Sequence, residues 1–141
     1  MNMKLFIPRS YACEVMSISQ AREDVVQALE RSGGMTRQNL LDLEIALGEL
    51  LQNIVRHQVC KSAPCHFSIE VAFWGANLHI SVNDSCEPLQ DLSFLTTQRT
   101  ASEKGGMGIQ LINKIASIYS IQPLSNGNRH ELIFNNFLTA T

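Results

Sequence analysis

Apolar residues recur at three- and four-residue intervals through the segment 37–59, at Leu40, Leu43, Leu47, Leu50 and Ile54. That spacing collects them on one face of a helix. Thr36 stands just ahead, where a hydroxyl can accept a free amide of the first turn, so the predicted helix runs from there to about Val59. At about 100° per residue, Asp42, Glu49, Asn53 and Arg56 fall within roughly 60° of each other on the opposite face. One side of this helix is buried and the other carries a polar stripe. An earlier helix is predicted over residues 14–31, from Val15, Ile18, Val25 and Leu29, stopping at Gly33-Gly34.

The pattern changes period after Pro64. Phe67, Ile69 and Val71 alternate with Ser68 and Glu70, which predicts a strand over residues 67–74. Gly75-Ala76-Asn77 then makes a tight connection to a returning strand over residues 78–82, giving an antiparallel hairpin. Residues 4–8 (KLFIP) read as a short opening strand stopped by proline. Residues 84–104 are polar, without a clear period and without glycine before position 105. A loop of that length in a compact domain is usually functional. Lys104-Gly105-Gly106-Met107-Gly108 follows and opens a helix carrying Ile109, Leu111, Ile112, Ile115 and Ala116. Residues 119–122 and 131–137 are the last two strands, around an Asn126-Gly127 turn. Helices and strands are segregated along the chain. The expected fold is therefore α+β, a two-layer α/β sandwich with a mixed, mostly antiparallel sheet and helices on one face.

Composition narrows the function. A chain of 141 residues is read as a single domain, 1–141, long enough to bury its own core. The net charge is -2, which argues against a protein that lives by neutralising nucleic-acid phosphates. No apolar signal core and no membrane-length apolar run occurs, so a cytoplasmic protein without a membrane span is expected. The four cysteines, Cys13, Cys60, Cys65 and Cys86, are then expected as thiols without a disulfide framework. His57, Cys60, Cys65 and His66 offer metal-ligand chemistry, but not at a common zinc-finger spacing.

Three features carry candidate chemistry. Glu49 and Asn53 lie one turn apart on the polar stripe; a carboxylate there can serve as a general base, and an amide oxygen is a hard ligand suited to Mg2+. Asp84 ends the returning strand, where a fixed carboxylate can accept a hydrogen bond from an exocyclic amine. Gly106 and Gly108 open a helix whose free amides suit an anion, with Lys104 adding a cation. Singly, each has an ordinary explanation: a solvated helix face, a strand-end aspartate, a tight turn. The glycine turn matches neither a P-loop nor a dinucleotide fingerprint.

Their order is more specific: a helix with Glu-x-x-x-Asn, a hairpin ending in Asp, a long loop, then Gly-x-Gly opening a helix. This resembles the GHKL (Bergerat-fold) ATPases, and among them the small anti-sigma-factor serine/threonine kinases. GELLQNIVRHQ (48–58) is similar to the family's N box, VNDSCEPL (82–89) lies where the first glycine box belongs, and GGMGIQLI (105–112) is similar to the second. The resemblance implies that Glu49 activates the attacking hydroxyl, Asn53 holds Mg2+ on the ATP phosphates and Asp84 reads the adenine amine. It further implies that Lys104, Gly105, Gly106, Met107 and Gly108 cradle phosphates under a lid from about Phe94 to Glu103. The implied partners are a small antagonist protein, phosphorylated on Ser or Thr, a sigma factor, and a second copy of the chain as a homodimer. No direct contact with nucleic acid or membrane is implied.

Two positions depart from the pattern. Cys86 and Pro88 stand where the first glycine box carries glycine, and a Cys side chain there is expected to narrow the adenine pocket. Arg129-His130-Glu131 occupies a late strand where relatives often carry a Thr near the adenine. These departures support an alternative, a weak or inactive member of the fold that regulates by partner contact.

Overall fold

The expected hairpin forms the middle of a six-stranded sheet. The computed structural model describes residues 2–5, 7, 10–57, 64–92 and 106–139. In chain order the elements are β1 (Asn2–Leu5), β2 (Ser10–Ala12), α1 (Val15–Ser32), α2 (Arg37–His57), β3 (His66–Trp74) and β4 (Asn77–Asp84), then α3 (Gly106–Ile115), β5 (Ile118–Leu124) and β6 (Gly127–Phe134). β3 and β4 pair around the two-residue turn Gly75-Ala76, with Gly75 at φ 63°, a conformation that glycine adopts without strain. The sheet order is β1-β3-β4-β6-β5, and β2 shares the outer edge of β3 with β1. Every strand pairing is antiparallel.

Strand alternation sets the two faces. Phe67, Ile69, Val71 and Phe73 of β3 are buried together with Leu78, Ile80 and Val82 of β4 and Leu132 and Phe134 of β6. The intervening Glu70 and Trp74 are exposed, so the helices cover one face only. α2 supplies Leu43, Leu47, Leu50, Leu51 and Ile54 to that core, with Leu40 half-buried at its edge. Thr36 caps α2 as expected: its hydroxyl accepts the Asn39 amide at 3.0 Å. α1 ends at Gly33, whose amide bonds the Leu29 carbonyl at 3.0 Å, and both Gly33 and Gly34 have positive φ. Val15, expected on the apolar face of α1, is 76% exposed; the buried stripe begins at Ile18 and includes Ala21 and Ala28. The open face of the sheet carries a groove of about 540 Å³ lined by Glu70, Trp74, His79 and Glu131 among others. None of the site residues predicted from sequence lines it.

The elements differ from those expected in several places, and two of the differences have a clear cause. β2 is only three residues long, too short for alternation to reveal. The opening strand covers residues 2–5, and the last strand runs 127–134 in place of 131–137. Gly127 is also not a turn residue. The register pairs Leu124 with Gly127, so Ser125 and Asn126 make the turn and Gly127 begins β6. It must be glycine for another reason: a Cβ there would lie 2.0 Å from the Asp84 carbonyl oxygen, and both partners are backbone.

Neither backbone can move without breaking the β4–β6 ladder. Gly127→Ala should therefore destabilise the chain by at least about 1–3 kcal/mol, the usual scale of overpacking. Urea unfolding of the variant beside the parent checks this; an unchanged midpoint would show that the strands separate easily at this point.

Candidate functional site

The polar stripe of α2 meets the first turn of α3. Glu49 and Asn53, both half-buried, face the backbone at Gly108. A Cβ built on Gly108 would lie 2.9 Å from Glu49 Oε2 and 3.6 Å from both amide atoms of Asn53. Glycine thus lets the opening of α3 sit directly against these two side chains. The Asn53 Nδ2 is buried, and it has no hydrogen-bond partner among the described residues. A buried amide left in this way loses the desolvation energy of the group unless something binds it. α3 has no acidic residue in its first turn, so no carboxylate there competes with an anion for the amides of its N-terminus. Gly48, beside Glu49, lets α1 pack close, since a Cβ would meet the Arg22 guanidinium at 2.7 Å.

Asp84 is set into a second cluster at the end of β4. Its side chain is 4% exposed and lies on the helix-covered face. Oδ1 accepts the Cys86 amide at 3.0 Å and the Asn128 backbone amide and Nδ2 at 3.1 Å each. Oδ2 lies 2.7 Å from His130 Nε2. Nδ1 of the same ring faces the Tyr119 hydroxyl at 3.3 Å. The Asn128 amide also holds the chain after β4, donating to the Glu87 carbonyl and accepting from the Leu89 amide. A carboxylate offers roughly four acceptor directions, and Asp84 already has four contacts, three on Oδ1 and one on Oδ2.

Burial alone would raise the Asp84 pKa, but the His130 hydrogen bond and charge, with the Asn128 and Cys86 donors, outweigh it and hold the carboxyl below its ordinary value. Burial, with the Asp84 charge, pushes the Tyr119 phenol well up. Burial also raises the Cys13 thiol, against a hydrogen bond from Cys86 that lowers it and with Asp84 adding to the rise.

The structure brings Glu49, Asn53 and Gly108 together and places Asp84 at its predicted strand end. Gly106 and Met107 lie in the first turn of α3. Lys104, Gly105 and the residues of the expected lid lie outside the described residues, as does Cys60. His66 is exposed and bonds Ser85. Cys13 and Cys86 are thiols, but Cys65 is disulfide-bonded, contrary to the expectation of thiols throughout. Spacing could not reveal this, because a disulfide depends on the separation of two backbones in the fold. Asn128 and Tyr119, with His130 as the direct partner of Asp84, were not legible as site residues. The β4–β6 register supplies the missing signal, setting Asp84 opposite Asn128 and Val82 opposite His130.

A family model for the histidine kinase-like ATPase domain matches residues 12–134. The chain belongs to this family. No curated protein matches it in sequence. Among solved structures, the RsbU and RsbW domains of Rv1364c from Mycobacterium tuberculosis superpose with a TM-score of 0.64 at 14% identity, over 95% of this chain and 32% of that one. The histidine kinase domain of the Erythrobacter litoralis EL346 blue-light activated histidine kinase superposes at 0.59 with 9% identity, over 84% and 61%. The EL346 kinase in a second structure gives 0.58 at 9% identity, over 86% and 40%. These likenesses concern the fold, and this chain spans less than two thirds of each structure. Membership implies ATP binding. Among the described residues no helix is long and apolar enough to cross a membrane.

The lowered Asp84 pKa fixes the sign of one pH effect. Because the folded value lies below the unfolded value of about 4, the carboxylate adds stability above that pH and the contribution disappears as pH falls through the folded value. Urea midpoints should therefore drop as pH falls below about 4, and Asp84→Asn should flatten that drop. An equal slope in both chains would show that Asp84 is not the group responsible.

Proposed function

We propose that this ATPase domain is a Mg2+-dependent serine/threonine protein kinase of the anti-sigma-factor type, phosphorylating a small antagonist protein. The observation that carries the reading is the buried Asn53 amide nitrogen, without a hydrogen-bond partner among the described residues, beside Glu49 and the glycine-opened start of α3. Those groups suit ATP phosphates and their Mg2+: an amide nitrogen that can donate to a phosphate oxygen, an amide oxygen on the same side chain that can ligate a hard cation, backbone amides of a helix N-terminus, and a carboxylate one turn away. Bound ATP supplies the transferable phosphoryl group. Glu49 takes the proton from the attacking hydroxyl, Asn53 with the first turn of α3 holds the phosphate end, and Asp84 accepts from the adenine amine on Oδ2, the oxygen with the fewer contacts. Positioning and charge neutralisation provide most of the rate in such transfers. A sigma factor as second partner and a homodimer as the working assembly complete the proposal.

One observation favours a second reading, a regulator that holds nucleotide weakly and acts by partner contact. Asp84 is already bonded by Cys86, Asn128 and His130, so adenine gains less from it than from an open carboxylate.

Titration calorimetry with Mg·ATP and Mg·ADP, followed by a γ-labelled ATP transfer assay on proteins captured from the source cell, separates the two. In the kinase reading Glu49→Ala lowers transfer by about 10²–10⁴-fold, the range of a lost general base, while nucleotide affinity stays within about twofold. Absence of Mg·ATP binding at millimolar nucleotide would sink the kinase reading. Partner binding that is tight and indifferent to nucleotide would support the regulator.

A further inference from the structure

Three cysteines far apart in the chain meet at one end of the sheet. The β2–β3 register pairs Tyr11 with Phe67 and Ala12 with His66, and the Cys13 amide continues it by bonding the Cys65 carbonyl at 3.0 Å. The β3–β4 register pairs Phe67 with Asp84, and the Ser85 amide continues it to the His66 carbonyl at 2.9 Å. One step further sets Cys65 between Cys13 and Cys86. Side chains two residues apart share a face, so all three point where Tyr11, Phe67 and Asp84 point, into the helix-covered layer. All three are buried, and their sulfurs lie within 4.8 Å of one another.

The geometry points to a binding site for a thiophilic metal ion, formed by Cys13, Cys65 and Cys86 once the Cys65 disulfide is opened. A tetrahedral zinc bound at about 2.3 Å to each thiolate sets sulfurs about 3.8 Å apart, so each gap here needs at most about 1 Å of closure. Three adjacent strands hold the ligands, and Cys13 is held to Cys65 by a backbone hydrogen bond, so the arrangement is largely made before a metal arrives. Soft sulfur donors favour Zn2+ or Cu+ over the hard Mg2+ of the phosphate site. Three protein ligands leave a fourth zinc position to another ligand, whereas Cu+ is satisfied by sulfur alone. This is a different set from the His57, Cys60, Cys65 and His66 group suggested by proximity in sequence. Metal binding at neutral pH displaces the thiol protons and takes up none.

The test uses the full chain without nucleotide, so its result is independent of the kinase reading. A phosphine reductant, itself oxidised to the phosphine oxide, supplies the two electrons that open the Cys65 disulfide. The demetallated chain is then titrated anaerobically with Zn2+ against a chromophoric chelator, with Cu+ against its own chelator in a parallel arm. Co2+ reports sulfur ligation through its thiolate charge-transfer band. The expected result is one ion per chain, with the two arms showing which ion is preferred. Cys13→Ser, Cys65→Ser and Cys86→Ser should each weaken binding beyond the roughly 10–100-fold typical of losing a supporting residue, with a reduced cobalt–thiolate band. Circular dichroism of the metal-free variants confirms that they remain folded. No stoichiometric ion in the folded, reduced chain overturns the proposal. So does binding that survives both Cys13→Ser and Cys86→Ser, because the ion would then lie elsewhere.

Discussion

A carboxylate withdrawn from water must have its acceptor sites met, and the working end of this sheet is arranged around that requirement at Asp84. Hydrogen bonds to a charged group contribute about 1.5–3 kcal/mol each, and a buried charge stripped of its partner costs more. The Asp84 donors come from three places: Cys86 on its own turn, Asn128 at the start of β6 and His130 two residues further. Meeting them draws β6 tight against the strand end, and Gly127 is the consequence, since only a residue without Cβ fits against the Asp84 carbonyl. Asn128 then extends the same arrangement to Glu87 and Leu89. The chain entering the long loop is therefore ordered by the groups that satisfy the carboxylate.

The other half of the site works by the reverse principle. At Asn53 a buried amide nitrogen has no partner among the described residues, and at Gly108 a side chain is omitted so that backbone can come close. Satisfied groups make the Asp84 end rigid, and unsatisfied ones make the α2–α3 end receptive. That contrast is what the proposed assignment of phosphate binding to Glu49, Asn53 and Gly108 rests on. At Asp84 the acceptor sites are already met, three contacts on Oδ1 and one on Oδ2.

What could be read from the sequence follows the range of each interaction. The helices, the Thr36 cap and the Gly33-Gly34 stop are local, so period and residue type reveal them. The β3–β4 hairpin is nearly local for the same reason. The pairing of β4 with β6 joins residues 44 to 56 positions apart, and no local pattern states it. Hence Gly127 reads as a turn glycine and His130 as a lost Thr, when one makes room for Asp84 and the other bonds it. β2 fails differently: three residues are too few to show a period, so its pairing with β3, and the place of Cys13 beside Cys65, stay hidden.

Register also changes the meaning of the departure at Cys86. Read alone, a cysteine in place of glycine puts a side chain into an adenine pocket. Residue 86 lies two positions beyond Asp84, just past the end of β4 and across from Cys65, and its side chain falls on the same buried face as Asp84. Its thiol is hydrogen-bonded with Cys13 and only 7% of the residue is exposed. Its backbone amide meanwhile bonds the Asp84 carboxylate. A ligand that fixed the Cys86 sulfur would act on the turn that orients Asp84, from the side opposite His130 and Asn128 in the chain's connectivity. A cysteine at this position therefore links the turn that holds Asp84 to the buried sulfurs of Cys13 and Cys65.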